Sequence, residues 1–266
     1  MDLELGGKVA LVTGGSRGIG KAIARELALE GCDVAVASRG QDALEAAARE
    51  ISQLTGRKAL PVHVDTGSDA SVRAMVETTV TAFGRLDILV NCAARPGGQG
   101  VVPSLSEITE VAFFEDMNVK VMGYLRCARE AAPHMRRQGW GRIINISGLA
   151  ARNSGSTIGS MRNVAVAALT KNLADELGPH GTNVTCVHPG LTRTEATPGV
   201  IARRALTEGT PPAEVERRMA EGNSVRRLID AQDIARVVAF LASPKSVAIN
   251  GDSIAAGGGV GRAIHY

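Results

Sequence analysis

Gly14, Gly18 and Gly20 follow directly on an apolar run, Val9-Ala10-Leu11-Val12, and lead into a stretch that reads as a helix. A strand passing through a glycine turn into a helix brings backbone N–H groups close to any anion at the helix N-terminus, where the dipole favours negative charge. The turn is Thr13-Gly14-Gly15-Ser16-Arg17-Gly18-Ile19-Gly20. Its chemistry points to a dinucleotide pyrophosphate, held by Gly14, Ser16, Arg17, Gly18, Ile19 and Gly20. The end of the second apolar run narrows the ligand. Sites for NAD usually place an acid there to bind the ribose 2′-hydroxyl. This chain has Val34-Ala35-Val36-Ala37-Ser38-Arg39, with no carboxylate until Asp42. Ser38, Arg39 and Arg17 suit a 2′-phosphate, because a dianion gains most from charge-assisted contacts to guanidinium groups. NADP(H) is therefore favoured over NAD(H).

These groups need a scaffold, and the chain alternates short β-rich runs with longer helical patterns from end to end. Strands are expected at 8–13, 33–38, 59–64, 88–91, 142–146, 183–187 and, less clearly marked, 253–256. Several are continuous Val/Ile/Leu/Ala stretches, as parallel strands covered on both faces require. Helices are expected at 18–30, 41–55, 69–83, 110–138, 157–178 and 231–242. That rhythm predicts a three-layer, doubly wound α/β Rossmann fold with a mainly parallel seven-stranded sheet, in a single domain over 1–266. The stretch at about 194–223 breaks the rhythm. It is polar, carries Thr210-Pro211-Pro212, and reads either as a mobile helix-turn excursion on the substrate side or as a variable surface loop.

The glycine spacing, G-x-x-x-G-x-G, resembles that of the short-chain dehydrogenase/reductase family, and the likeness continues along nearly the whole chain. Asp87-Ile88-Leu89-Val90-Asn91-Cys92-Ala93-Ala94 resembles the family's D-I-L-V-N-N-A-G signature, departing from it at Cys92 and Ala94. The resemblance implies that Asp65 contacts the adenine, that Asn91 lies beside the cofactor, and that Asn118 and Ser147 are the family's helix asparagine and catalytic serine. It further implies that the loop His188-Pro189-Gly190-Leu191-Thr192-Arg193-Thr194 holds the nicotinamide carboxamide through Pro189, Gly190, Thr192 and Thr194.

The resemblance stops at the proton donor. The family carries a Y-x-x-x-K pair about 12 to 14 residues after the serine. Aligning on Leu169-Thr170-Lys171 places that pair at Gly159 and Asn163. The chain has only Tyr124 and Tyr266, and no lysine between Lys120 and Lys171. In the family the tyrosine gives or takes a proton while hydride moves, and the lysine lowers its pKa and holds the ribose. A positioned general acid is worth ~10²–10⁴ in rate, or roughly 3–5 kcal/mol of barrier. Substitutes are few. Ser147 and Ser160 are weak acids without an activating neighbour. Arg162 stays charged and polarises an oxygen without giving up a proton. Tyr124 falls in a helix, where an aromatic usually packs, and Tyr266 with His265 closes the chain after the glycine-rich 257–261. Asn163 retains the ability to hydrogen-bond the nicotinamide ribose.

Three functions stay open. The first is an NADP(H)-dependent oxidoreductase of atypical mechanism. The second is an inactive cofactor-binding pseudoenzyme or partner subunit. The third is a non-redox lyase or isomerase reusing the pocket of Ser147, Ser160 and Arg162. By resemblance the chain is expected to form a homotetramer or homodimer through the helices at 110–138 and 157–178, with Ala165, Ala167, Ala168 and Ala174 permitting close approach.

Composition excludes other classes. The net charge is +3 with signs interspersed, so no basic arm marks a nucleic-acid binder. The partner expected is a small-molecule substrate. Cys32, Cys92, Cys127 and Cys186 are scattered without a C-x-x-C pair, and neither a disulfide nor a metal site is expected. The acidic start, Met1-Asp2-Leu3-Glu4-Leu5, lacks a signal-peptide core, and no apolar run has the ~20 residues of a membrane helix. The expected location is the cytoplasm.

Overall fold

The computed structural model describes residues 1–94 and 102–261. In chain order the elements are β1 (Val9–Thr13), α1 (Gly18–Leu29), β2 (Asp33–Ser38), α2 (Gln41–Thr55), β3 (Ala59–His63), α3 (Asp69–Phe83) and β4 (Ile88–Asn91). They continue with α4 (Glu110–Met117), α5 (Gly123–Gln138), β5 (Gly141–Ile146), α6 (Thr157–Leu177), β6 (Thr182–Pro189) and β7 (Thr192–Arg193). The last are α7 (Thr197–Glu208), α8 (Pro212–Glu221), β8 (Ile229–Asp230), α9 (Ala231–Ala242) and β9 (Ser253–Ala256).

Seven strands form one sheet in the order β3-β2-β1-β4-β5-β6-β9, and every pairing in it is parallel. Successive residues of β1 point to opposite faces, as the strand period demands. Ala10 and Val12 join Ile23 and Leu27 of α1 and Val238 of α9 in one core. Leu11 joins Met75 of α3 and Ala131 of α5 in the other. A strand buried on both faces has no room for polar alternation, which is why these runs read as continuously apolar. The expected doubly wound fold is the one observed.

The chain order reverses between β1 and β4, whose helices leave toward opposite faces. In such sheets ligands bind beyond the carboxyl ends of the strands at this crevice. Thr13 closes the crevice floor: its hydroxyl accepts from the N–H groups of Cys92 (3.1 Å) and Ala93 (3.2 Å). Gly14, at φ 68°, presses so close that a Cβ there would lie 3.0 Å from the Ala93 backbone.

One feature differs from expectation, and the helix-turn excursion expected at 194–223 is present. The helix expected over 110–138 is interrupted by a π-turn at Asn118–Met122, where the Gly123 N–H reaches back to the Asn118 carbonyl. The segment at 194–223 holds α7 and α8, which bury Ile201, Ala205, Val215 and Met219 with Leu228 in a core of their own. Pro212 opens α8 at the first turn, where a missing N–H costs nothing. A short parallel pair, β7 with β8, closes the base of this segment.

A line of buried polar groups crosses the sheet beneath the crevice. The Asn91 amide donates to Asn145 Oδ1 (2.9 Å), and the Asn145 amide donates to Thr170 Oγ1 (3.0 Å) on α6. All three residues are fully buried, so each donor depends on its partner. Replacing Asn145 with Ala strips the Asn91 side chain of the one partner it has among the described residues and leaves a void. The expected loss is about 2–4 kcal/mol of unfolding free energy, measured as a lower urea midpoint with unchanged m-value.

Candidate functional site

The glycine turn between β1 and α1 is built for close approach. Gly18 has φ 58°, a left-handed conformation that side chains disfavour. A Cβ at Gly20 would lie 2.3 Å from the Gly14 carbonyl, so the helix can start this tightly only with glycine there. No side chain of the preceding residue, Arg17, caps α1. The Glu195 carboxylate does so instead: it accepts from the Gly18 N–H at 2.9 and 3.2 Å. An anion thus sits on the amide that the turn offers to a phosphate. Thr194, beside it, packs a methyl 3.7 Å from where a Gly18 Cβ would be.

At the end of β2, the Ser38 hydroxyl is buried with no hydrogen-bond partner. Arg17 and Arg39 are both exposed, and neither guanidinium is paired among the described residues. A buried hydroxyl without a partner costs free energy unless a ligand completes it. Ser38, Arg39 and the glycine turn therefore fit a phosphorylated dinucleotide. Asp65, exposed after β3, accepts from the Gly67 N–H at 2.9 Å and so holds its own turn. Asn118 Nδ2 reaches the Gly67 carbonyl at 3.5 Å, which places this asparagine against the Asp65 turn.

Beyond β5 and β6 the groups are packed more tightly. Ser147 is buried, and its hydroxyl donates to the Asn163 backbone carbonyl at 3.1 Å. Pro189 ends β6. Gly190 approaches Gly257 so closely that a Cβ would lie 2.9 Å from its Cα. Thr192 Oγ1 donates to the Gly190 carbonyl (3.0 Å), and the Thr194 N–H donates to Thr197 Oγ1 (2.9 Å). His188, buried before the loop, accepts from the Gly148 N–H through Nδ1 at 3.4 Å. Burial, with the charges of Arg152 and Lys120, pushes this imidazole down to about 4, which keeps it neutral.

The structure also disposes of most substitutes for the proton donor. Tyr124 is fully buried, donates to the Ile146 carbonyl at 2.8 Å and is held well above its ordinary pKa by burial, so it packs. Ser160 donates to the Asn153 carbonyl at 3.1 Å. Arg162 was expected to be free to polarise an oxygen. It instead grips both carboxylate oxygens of Asp116 at 2.8 Å, tying α6 to α4. Gly159 is the third residue after Ser156, the cap of α6; a Cβ there would lie 2.8 Å from Ser156 Oγ. Ala174 was expected to permit close helix approach between copies, but it is only 2% exposed and belongs to the core of the chain itself. His265 and Tyr266 lie outside the described residues.

One group in the site was not anticipated. Lys120 is 3% exposed, and its ammonium donates to the Ser147 carbonyl and to Asn163 Oδ1, each at 3.0 Å. The π-turn is what aims it. It puts Lys120 in register with the buried residues Tyr124, Cys127 and Ala131 of α5, along an i, i+4, i+7, i+11 stripe. The available signal was a single cation inside the apolar run Val119-Lys120-Val121-Met122. Burial, and then the charge of Arg162, push Lys120 down from 10.5 to about 7.

Comparison with known proteins supports the family and the fold. The sequence profile of a family described as enoyl-(acyl carrier protein) reductase matches residues 14–261. The short-chain reductase protein NovJ of Streptomyces niveus is 38% identical over 252 residues, 94% of this chain and 93% of that protein. The crystal structure of L-sorbose reductase from Gluconobacter frateurii, complexed with NADPH and L-sorbose, superposes with a TM-score of 0.93. It is 30% identical and covers 99% of this chain and 100% of its own. NAD+-bound xylitol dehydrogenase gives a TM-score of 0.87 at 27% identity, over 96% of this chain and 100% of its own. The chain belongs to the short-chain dehydrogenase/reductase family, whose members here are NAD(P)-dependent oxidoreductases. No helix among the described residues is long and apolar enough to cross a membrane.

The Lys120 environment has a direct thermodynamic signature. Between about pH 7 and 10.5 the unfolded chain carries a proton on this lysine that the folded chain does not. Stability therefore rises with pH across that window. In Lys120→Met that contribution vanishes. Urea midpoints measured from pH 6.5 to 10 should show the stability difference moving in favour of the wild type as pH rises, and staying level below pH 6.5.

Proposed function

We propose that this protein is an NADP(H)-dependent oxidoreductase acting on a carbonyl or an activated alkene, with Gly159 and Asn163 standing where its relatives carry a tyrosine and a lysine. The observation that carries the reading is the crevice at β1 and β4. There a glycine turn already holding one anion, Glu195, lies beside the partnerless Ser38 hydroxyl and two unpaired arginines. The 2′-phosphate goes to Ser38, Arg39 and Arg17. The pyrophosphate goes to the amides from Gly14 to Gly20, with Ser16 and Ile19 among them. Asp65 and Asn91 flank the adenosine half. Pro189, Gly190, Thr192 and Thr194 flank the nicotinamide, with Asn163 on its ribose and Ser147 on the substrate side; Asn118, expected beside Ser147, is held at the Gly67 carbonyl with Asp65 instead. NADPH, when bound, supplies a hydride.

The residues present bind and orient more than they move protons. Glycine at position 159 leaves the nascent oxyanion without the family's acid, a deficit of roughly 3–5 kcal/mol. Substrates whose charge spreads over a conjugated system suffer least, because their proton is added after the hydride and from solvent. Titration of the purified protein with NADPH and NADH, by quenching of Trp140 emission, tests the cofactor assignment. Arg39→Ala should weaken NADPH by about 10- to 100-fold, the worth of one charge-assisted contact, and leave NADH within about twofold. Equal loss for both cofactors removes the 2′-phosphate role. A panel of enones and ketones that leaves NADPH absorbance unchanged removes the catalytic half of the reading.

Self-association through α4 and α6 belongs to the same proposal. Val111 and Phe114 on α4 are 67% and 64% exposed, and Met161 and Val164 on α6 are each 51% exposed, beside the exposed Ala168. The Arg162–Asp116 pair holds these two helices side by side, so the apolar residues offer one surface to a second copy. Val164→Arg should shift the mass measured by light scattering toward the monomer. A wild type that is already monomeric at micromolar concentration overturns the proposal.

A further inference from the structure

Asn163 is 3% exposed. Its Oδ1 accepts from the Lys120 ammonium at 3.0 Å. Its Nδ2 faces the backbone of Gly148, where a Cβ would come within 3.1 Å. A protonated lysine carries donors only, so the Lys120 ammonium fixes which end of the amide faces which way: oxygen toward the ammonium, N–H groups toward the turn after β5. The ammonium has a second acceptor in the Ser147 carbonyl, also at 3.0 Å. Two neutral acceptors do not neutralise a buried charge. The groups facing it are Arg162 of α6, Asp116 of α4, Cys92 beyond β4, Cys186 and His188 of β6, and Tyr124 of α5. Of these only Asp116 is a formal anion, and it is already bound to Arg162. The site therefore has an uncompensated cation within reach of an amide.

We infer that Lys120 is the positioning cation of this site: its ammonium locks the Asn163 amide so that Asn163 donates to the nicotinamide ribose, and the charge and donor that a lysine at position 163 would supply arrive from position 120. This rests on the assignment of Asn163 to that ribose under the proposed function. The two positions are alternatives in one small space. A second ammonium at 163 would lie against the first, and each would disfavour the other's charge.

The test is a swap, read as NADPH binding by the full-length protein at pH 7 and not as turnover. Lys120→Met keeps the length of the side chain and removes the ammonium, and it should weaken NADPH by about tenfold. Asn163→Lys alone should weaken it by a similar factor, through repulsion from Lys120. The double variant, Lys120→Met with Asn163→Lys, returns the cation to one site and should bind within about threefold of the wild type. If the two losses multiply in the double variant, Lys120 is packing and the inference fails.

A second measurement needs no variant to fold. Lys120 sits near half-protonation at about pH 7, and an anionic ligand draws it toward the charged form. NADPH binding at pH 8 should therefore take up a fraction of a proton, seen with an indicator dye in weak buffer. No uptake by a wild type that binds NADPH overturns the inference and leaves the cofactor reading intact. A wild type that does not bind NADPH overturns the cofactor reading, and this inference with it.

Discussion

Two chain segments must leave the middle of the sheet toward opposite faces and still keep water out between them. Thr13 meets that constraint with one hydroxyl, which takes the amides of Cys92 and Ala93 and so holds the turn after β4 against the turn after β1. Gly14 allows the contact, since any side chain would strike the neighbouring backbone. The crevice that receives a cofactor is the space left above this closure. Its floor is closed because the Cys92 and Ala93 amides are already bound to Thr13. Its upper rim is not, and the partnerless Ser38 hydroxyl lies there.

From that floor a run of buried polar groups leads outward through Asn91, Asn145 and Thr170 to α6, and α6 in turn presents Asn163 to Lys120. Such groups add less to net stability than apolar packing would, because each is desolvated before it is paired. What they supply is position. Side chains held by such hydrogen bonds keep one rotamer, and a site that binds a long, flexible ligand gains from not having to order its own groups. Lys120 is the extreme member of the series, with a charge held in a space where its ordinary ionisation is no longer favoured.

The fold was legible because its strands are buried on both faces and therefore carry almost nothing but Val, Ile, Leu and Ala. Their predicted limits differ from the observed ones by no more than two residues at either end. The glycine turn was legible because Gly14, Gly18 and Gly20 lie between such a strand and a helix. The π-turn at 118–122 was not. A single inserted residue leaves the composition of a helix unchanged, and the pattern over 110–138 reads as continuous. Lys120 was missed as a direct result, since its burial follows from the register that the turn resets. The Arg162–Asp116 pair was equally hidden. Forty-six residues separate its members, and nothing local to either reports the other. Ala174 shows the same limit from the opposite side, because a small residue on a helix suits close packing against its own sheet as well as against a second copy.

Glu195, just before α7, touches the body of the fold by capping the helix at Gly18. A carboxylate and a phosphate cannot share that amide. An anion that takes the Gly18 amide displaces Glu195, and Glu195 stands between β7 and α7. The segment behaves as a tethered competitor whose local concentration is fixed by the fold and cannot be diluted away.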